Sequence, residues 1–481
     1  MKRIVILGGG VSGLTAAFVA RNVAREQGRQ VSIALVESQQ SCGGWFKSHR
    51  REEDGILFER GPHSFRPVGV NGMSCLKLVE ELGIEDQALG TSKDAAKRYL
   101  YIGGKLHGMP TSLASMFTNE LTRSLPIAGI REALFVAKHT GEDETIHSFF
   151  SRRFNEDIAD TFACAMIAGI FAGDIRSLSI QSCLPVLSDL ETKYGSVVRG
   201  LVQKSLLENA PVPSVDNGID LSLQTNKCKD LSTRTGVSFK EGMEFLTNAL
   251  EDSVFGSGDA SVNLVKGTKV NGIGEDKTVH LDDGTVLEAD AIISAVPLPA
   301  LGAIVPNSIK DSFSPLIQST RYADVGVVNI GYTDMPHLPY RGFGHLSPAK
   351  EKSGVLGMIY DSEVFPDQQP ANTSCLTVMV GGTHAPQLAR LGEDEMGEYA
   401  LSKVSQQLGI TVPPAGVAAR GAISCIPQYS VGHKDLVADL FQAVDARLGF
   451  LNIIGNNFQG VGIADSIANA RKAAHKVVNA L

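Results

Sequence analysis

A glycine-rich turn near the N-terminus leaves this chain few possible folds. The apolar, β-branched run Ile4–Leu7 predicts a buried strand, and residues 14 to about 26 have helical composition. The turn between them has three glycines in GxGxxG spacing, namely Gly8, Gly10 and Gly13. A second apolar run, Val31–Val36, ends in the acidic residue Glu37. This order is typical of a βαβ unit that binds a dinucleotide, and it predicts an α/β protein with a parallel sheet.

Each residue type in this unit has a physical reason. Gly8 permits the tight turn, Gly10 lets the backbone approach a diphosphate, and Gly13 allows the helix to pack closely on the strand. The helix N-terminus offers N–H groups and the positive end of the helix dipole to the phosphates. Glu37 is placed to accept hydrogen bonds from a ribose. We therefore predict dinucleotide contacts from Gly8, Gly9, Gly10, Val11, Ser12, Gly13, Glu37 and Ser38.

Composition excludes several classes of protein. Of 481 residues, 43% are hydrophobic and 20% are charged, which is ordinary for a globular chain of two or three domains. The net charge of −8 disfavours nucleic acid as a partner. The seven cysteines are scattered without a CxxC pair, so we predict reduced thiols, and the lack of HxxxH spacing argues against a metal site. No apolar run reaches about 18 residues and the chain begins directly with a strand, so neither a transmembrane helix nor a removable leader is predicted.

Three later segments resemble elements of the flavin amine oxidase superfamily. A second glycine pair stands at Gly43-Gly44-Trp45, and Gly61-Pro62-His63-Ser64 follows. Near the C-terminus, a predicted strand at Leu451–Ile454 precedes a glycine-rich turn and a helix from about Val461 to Val478, whose N-terminus would face the pyrimidine side of the flavin. The resemblance implies FAD as the cofactor, held also by Trp45, Gly61, Pro62, His63, Ser64, Val270, Val461, Gly462 and Ile463.

Six blocks along the chain resemble the protoporphyrinogen oxidase family of mitochondria and some bacteria. In the family's order, they are residues 61–67, 98–104, 169–174, 342–346, 377–379 and 425–429. The resemblance implies oxidation of protoporphyrinogen IX to protoporphyrin IX, with molecular oxygen as acceptor and hydrogen peroxide as a product. Two alternatives stay open. One is another oxidoreductase of the superfamily, acting on an amine or a carotenoid, and the other is a Rab-escort-like binding protein of the same fold class that uses no flavin.

The resemblance assigns positioning roles to side chains and no general acid or base. Arg98 would pair with a propionate of the substrate. Gly169 would approach the substrate because it has no side chain, and the apolar walls would come from Phe343, Leu346, Met379 and Ile426. Trp45 stands where the superfamily usually has arginine, and His63 stands where the family often has arginine. The sequence leaves open whether another cation lies near the flavin and whether His63 does more than pack.

The resemblance also implies the fold class and the setting. We expect an α/β fold like that of p-hydroxybenzoate hydroxylase and the amine oxidases, with a discontinuous Rossmann-like FAD-binding domain, a mixed-sheet substrate domain and a helical membrane-associated domain. The FAD-binding domain is expected to comprise residues 1–90, 241–304 and 421–481. The substrate domain is expected at residues 206–240 and 305–420, and the helical domain at residues 95–205. Residues 210–240 are rich in Ser, Thr, Asn, Pro and Gly, which predicts surface loops. The helical domain would contact a membrane without spanning it, at the mitochondrial inner membrane or a bacterial cytoplasmic membrane, and a homodimer is left open.

Overall fold

Two sheets, one of five strands and one of seven, organise the fold. The computed structural model describes residues 1–110, 113–136, 141–207, 214–256 and 258–481. In these ranges the strands are β1 (Lys2–Leu7), β2 (Val31–Glu37), β3 (Ser48–Arg50), β4 (Leu57–Glu59), β5 (Ala88–Gly90), β6 (Tyr99–Ile102), β7 (Lys105–Gly108), β8 (Val215–Asp216), β9 (Ile219–Asp220), β10 (Val237–Phe239), β11 (Val262–Lys266), β12 (Val270–Ile273), β13 (Thr278–Leu281), β14 (Val286–Glu288), β15 (Ala291–Ser294), β16 (Arg321–Thr333), β17 (Gly344–Leu346), β18 (Val355–Ile359), β19 (Thr373–Gly381), β20 (Gly416–Gln428) and β21 (Leu451–Ile453). The α-helices are α1 (Val11–Glu26), α2 (Gly69–Glu81), α3 (Leu113–Thr118), α4 (Leu125–Phe135), α5 (Ile146–Arg153), α6 (Glu156–Ile158), α7 (Cys164–Phe171), α8 (Ile180–Cys183), α9 (Pro185–Tyr194), α10 (Val197–Leu207), α11 (Asn226–Leu231), α12 (Glu244–Phe255), α13 (Leu298–Ile304), α14 (Asn307–Ser319), α15 (Asp361–Val364), α16 (Glu393–Leu408), α17 (His433–Arg447) and α18 (Ile463–Ala480).

The five-stranded sheet is parallel and has the strand order β11-β2-β1-β15-β21. Alternate residues of β1 enter two different cores. Ile4 and Ile6 pack with α1, α2, α12 and α18, whereas Val5 and Leu7 pack with α13, α14 and α17. A parallel sheet covered by helices on both faces needs strands that are apolar on both faces, which explains the continuous apolar run. The expected α/β class is confirmed, and its parallel sheet is assembled from distant parts of the chain.

The seven-stranded sheet has the order β20-β16-β19-β18-β17-β6-β7. It is mixed, because β17 and β6 run parallel while the other neighbours are antiparallel. On one face Val328 and Ile330 pack with residues of α16. On the other face Val327 packs with Ala168 and Ala172 at the end of α7. This second face carries most of the predicted substrate residues.

A buried ion pair joins the helices that follow β7. Arg153 of α5 and Glu132 of α4 are both fully buried and form a salt bridge. Glu132 also accepts hydrogen bonds from the backbone N–H groups of Val197 and Val198, at 2.9 and 3.1 Å, at the start of α10. One carboxylate therefore links three helices, and its charge is offset by a guanidinium and a helix N-terminus.

Two segments differ from the sequence-based expectations. Residues 226–231 and 237–239 form α11 and β10 instead of surface loops, and residues 208–213 lie outside the described ranges. Val237 and Phe239 are fully buried, pair with β5 and belong to the core around α1, not to the seven-stranded sheet. The polar composition of the segment conceals a few apolar residues whose partners lie far away in the sequence. In the expected helical region, residues 99–108 form β6 and β7 of the seven-stranded sheet.

Candidate active site

The turn between β1 and α1 combines close packing with open space. Gly8 has a φ of +97°, and a Cβ on Gly13 would lie 1.9 Å from the Gly8 carbonyl oxygen, so both positions require glycine. A Cβ on Gly10, by contrast, would meet no atom within 4 Å. The first turn of α1 has no acidic residue and no side-chain cap. Open space beside uncapped N–H groups at a helix N-terminus fits the diphosphate of a dinucleotide.

Glu37 is held at the end of β2 by backbone donors. The N–H groups of Gly9 and Gln39 each donate to one of its carboxylate oxygens at 2.7 Å, and the Ser38 hydroxyl donates at 3.2 Å. The Gly9 N–H is therefore already used and is not free for a phosphate. The Thr268 N–H donates to the Glu37 carbonyl oxygen at 3.2 Å, which brings the start of β12 beside this end of the sheet. The predicted cofactor contact of Val270, the first residue of β12, stays a prediction.

Two further glycine-containing segments lie next to this turn, one packed against the other. The Gly43 N–H donates to the Gly9 carbonyl oxygen at 2.9 Å, and a Cβ on Gly44 would lie 3.5 Å from the Gly10 Cα. A Cβ on Gly61 would lie 2.0 Å from the Trp45 carbonyl oxygen, so the segment that begins at Gly61 and includes Pro62 and Ser64 packs directly against this loop. The segments at Gly10, Trp45 and Gly61 are thus neighbours, and their contacts with the cofactor stay a prediction.

His63 forms a buried ion pair that sequence reasoning did not find. Its Nδ1 lies 2.7 Å from Oδ1 of Asp361, and less than a tenth of either side chain is exposed. The Thr377 hydroxyl donates to the other Asp361 oxygen at 2.7 Å. Burial alone would lower the pKa of His63, but the charge and hydrogen bond of Asp361 outweigh it and raise the pKa. His63 therefore links the segment predicted to contact the cofactor to the side of the molecule that holds the seven-stranded sheet. No local sequence pattern could reveal a partner 298 residues away.

Glu59 adds a second carboxylate to this cluster. Burial raises the pKa of Glu59 to about 7, although the nearby His63 opposes the shift. The Met243 N–H donates to Glu59 at 2.8 Å, and the Ser48 hydroxyl donates at 2.8 Å. His63 thus feels the charge of two buried carboxyl groups, Glu59 on β4 and Asp361 on α15.

Strand register brings four predicted substrate residues together. Met379 is paired with Gly357, and Gly357 with Leu346, so Met379 and Leu346 share one face of the sheet. A Cβ on Gly169 would lie 2.7 Å from Leu346 Cδ2, and Ile426 packs beside Met379. Leu346, Met379 and Ile426 are only half buried, whereas core residues of the same sheet are fully buried. They border accessible space, as the wall of a binding cavity would.

Arg98 and Phe343 form a separate group beside this wall. The Arg98 guanidinium lies over the Phe343 ring, 5.5 Å from its centre. Phe343 packs with Val364 and Phe365 and not with the Met379 group. Partial burial and the nearby Arg66 lower the pKa of Arg98. Within the described ranges Arg98 has no carboxylate partner, so it is free to bind one from a ligand.

The last helix begins where the dinucleotide-binding core meets the helical region. Gly462 is the N-cap of α18, and its N–H donates to Asp465 at 3.2 Å. Val461 packs with the helical core and Ile463 with the core around α1. The helix starts two residues later than expected from sequence. The contact of these residues with the flavin pyrimidine stays a prediction.

Comparisons with known proteins identify the family. The profile of flavin containing amine oxidoreductases matches residues 11–477. Human protoporphyrinogen oxidase is 34% identical over 493 residues (99% of this chain, 98% of the relative), and that of Schizosaccharomyces pombe is 31% identical over 501 residues (99% and 98%). Coproporphyrinogen III oxidase of Bacillus subtilis is 25% identical over 483 residues (98% and 97%). The solved structure of cyclohexylamine oxidase from Brevibacterium oxydans IH-35A has the same fold, with a TM-score of 0.68 at 15% identity over 100% of this chain and 99% of that chain. The chain therefore belongs to the flavin-containing amine oxidoreductase family, and its cofactor is FAD.

Proposed function

We propose that this protein oxidises protoporphyrinogen IX to protoporphyrin IX, with FAD as the electron acceptor and molecular oxygen as the final acceptor, released as hydrogen peroxide. The observation that carries the proposal is the 34% identity with a protoporphyrinogen oxidase over 99% of the chain. An apolar wall of Leu346, Met379 and Ile426 beside a cation at Arg98 suits a flat apolar macrocycle that bears carboxylates.

The protein's part in this reaction is to bind and orient the substrate. When bound, FAD supplies a two-electron acceptor that can take hydride from a meso carbon of the macrocycle. The apolar wall buries the macrocycle and excludes water, and Gly169 leaves room for the Leu346 side chain beside it. Arg98, whose guanidinium lies over the Phe343 ring, pairs with a propionate and so limits rotation of the macrocycle in its plane. Holding the reacting carbon close to its acceptor is a large part of catalysis in such sites.

The test compares two porphyrinogens on the purified holoenzyme. Anaerobic protoporphyrinogen IX should bleach the flavin absorbance, and oxygen should restore it while porphyrin fluorescence and hydrogen peroxide appear. Coproporphyrinogen III carries charged propionates in place of two vinyl groups, so the apolar wall should accept it less well and kcat/KM should be lower. A higher kcat/KM for coproporphyrinogen III, or bleaching by amines alone, would contradict the proposal.

We further propose that α4 and α10 hold the protein on a membrane surface, which we expect to be the mitochondrial inner membrane or, alternatively, a bacterial cytoplasmic membrane. Ile127, Ile130 and Leu134 recur along one face of α4 and are 71%, 60% and 61% exposed. Leu201 and Val202 of α10 are about half exposed, and α10 packs against α4. In the described parts of the chain, no helix is both long and apolar enough to cross a membrane. Contact with one face of a bilayer suits such a surface.

Vesicle flotation tests the membrane contact. The protein should float with phosphatidylcholine–cardiolipin vesicles, and the double variant Ile130→Glu, Leu134→Glu should not. Val286→Glu is the matched control, because Val286 is 50% exposed on β14, outside these helices. A double variant that floats like the wild type would contradict the proposal. If the double variant still floats but has a lower mass by light scattering than the wild type, the apolar surface joins two copies of the chain instead.

A further inference from the structure

A guanidinium without a partner lies beside the cofactor loop. Arg420 of β20 places its guanidinium carbon 5.7 Å from the centre of the Trp45 ring. The side chain is half buried, yet within the described ranges its guanidinium has neither an ion-pair partner nor a hydrogen-bond acceptor. A guanidinium carries five N–H donors in a planar fork, a geometry that matches the oxygens of an oxyanion. The arrangement therefore suits an anion that is not part of the chain.

Strand register places Arg420 on the face of the sheet that carries the substrate wall. Arg420 is paired with Val327, and Val327 is paired with Met379. Directly paired residues of antiparallel strands point to the same side of a sheet. Arg420 therefore extends from the same face as Met379 and reaches the loop around Trp45.

On its other side, this loop is in contact with the dinucleotide turn. Trp45 follows Gly44, whose Cβ would lie 3.5 Å from the Gly10 Cα. Gly10 is the position where the turn opens to free space. Arg420 thus brings a guanidinium from a distant strand to this loop.

The surroundings of Arg420 are short of negative charge. Burial, followed by the charge of the nearby Arg60, lowers the pKa of Arg420. The acidic side chain whose charge acts on Arg420 is Glu244, and its carboxylate already binds the Lys47 ammonium at 2.9 Å and the Ser48 N–H at 3.0 Å. Two neighbouring guanidinium groups repel each other, and a bound anion would offset that repulsion.

We propose that Arg420 binds an oxyanion beside Trp45, and that the diphosphate of FAD is its nearest source. The other source with the same chemistry is a second carboxylate of the substrate, and that assignment rests on the proposed function. The cation–π contact with the indole restrains the guanidinium, and the guanidinium fork can offer two N–H groups to two oxygens of one anion.

The experiment follows release of FAD from the holoenzyme. On serial dilution, free FAD regains its fluorescence, which yields a dissociation constant without any turnover. Arg420→Met removes the charge while keeping most of the apolar stem, and we expect the dissociation constant to rise about 10- to 150-fold, as for loss of a hydrogen bond to a charged group. Arg420→Lys should recover part of the loss, because the charge returns without the planar fork.

Arg321→Met is the matched control, because Arg321 is exposed on β16 of the same sheet. Thermal unfolding in saturating FAD checks that each variant is folded. If FAD release is unchanged in Arg420→Met, but KM rises for protoporphyrinogen IX and not for its dimethyl ester, the substrate carboxylate is the anion. If neither quantity differs from that of Arg321→Met, the proposal is overturned. The FAD measurement needs no substrate, so its outcome is independent of the proposed function.

Discussion

At the scale of single residues, Glu59 and His63 show how burial changes the charge inside the site. Glu59 lies on β4 with a pKa raised to about 7 by burial, and His63 is paired with Asp361. The pKa of each group is higher in the native protein than in the unfolded chain, so each keeps its proton to a higher pH when the protein is folded. A rise in pH therefore removes stabilising protonation from both residues.

The pH dependence of stability should change in Glu59→Gln. An unfolded Glu titrates near pH 4.3, so Glu59 contributes stability that is complete below about pH 4 and is lost as pH rises to about 7. The free energy of unfolding should fall by on the order of 3 kcal/mol over this pH range because of Glu59, and Glu59→Gln should abolish that fall. Thermal unfolding between pH 4.5 and pH 7.5, roughly spanning these values, should therefore show a flatter slope for this variant. Glu275→Gln, at an exposed position, should keep the wild-type slope; equal slopes in all three proteins would contradict the prediction.

Arg98 decides how the carboxylates of the substrate are recognised. Arg98→Ala should lower kcat/KM for protoporphyrinogen IX about 10-fold, mainly through KM. A 10-fold loss is the low end of the range for losing a charge-assisted hydrogen bond. We expect the low end because the Arg98 side chain is exposed to water. The loss should nearly vanish with the dimethyl ester, which has no carboxylate. Four values of kcat/KM, from two enzymes and two substrates, test this; equal losses on acid and ester would show that Arg98 acts at a distance.

At the scale of elements, the turn from β1 to α1 contains one glycine that serves cofactor binding and another that serves folding. A Cβ on Gly10 meets no protein atom within 4 Å, whereas a Cβ on Gly13 would lie 1.9 Å from the Gly8 carbonyl oxygen. Two glycines of one motif therefore have different reasons to be glycine. Gly10 leaves space for a ligand, and Gly13 leaves space for the backbone of the protein.

Gly10→Val and Gly13→Ala should consequently fail in different ways. Gly10→Val should fold but lose FAD, because its side chain fills the space of the diphosphate. Gly13→Ala should be destabilised itself, because the helix must move away from the strand. The flavin-to-protein absorbance ratio and the unfolding midpoint in urea distinguish the two. Full FAD content in Gly10→Val would show that the diphosphate lies elsewhere.

At the scale of the whole molecule, the fold leaves the cysteines unpaired and shields them from solvent. All seven are free thiols, five of them buried and two half buried. Burial raises the pKa of Cys42 to about 12 and that of Cys425 to about 11. Because the thiolate is the reactive form, these residues should react slowly in the native state.

Labelling with a disulfide reagent at about pH 8 checks this, because free thiols titrate near that value. We expect rapid reaction of no more than the two half-buried thiols in the native protein, and of all seven in denaturant. A reducing agent should leave the unfolding temperature unchanged, since no disulfide contributes to stability. Rapid labelling of more than two thiols in the native protein would contradict the packing described here.

The sequence alone determined those parts of the molecule whose physics is local. The spacing of Gly8, Gly10 and Gly13 and the apolar run Ile4–Leu7 predict the turn, the helix and the parallel strand, because each depends on the conformation and burial of neighbouring residues. The resemblance between sequence blocks correctly predicted the family and its cofactor.

Only the tertiary structure decided which distant residues meet. His63 pairs with Asp361 and Trp45 with Arg420, across sequence separations that no periodicity can encode. Residues 226–239 look like loops because most of them are polar, yet a few apolar side chains enter the core around α1. Such pairs follow from how the two sheets pack, and the free energy of that packing is summed over the whole chain and cannot be read from any one segment.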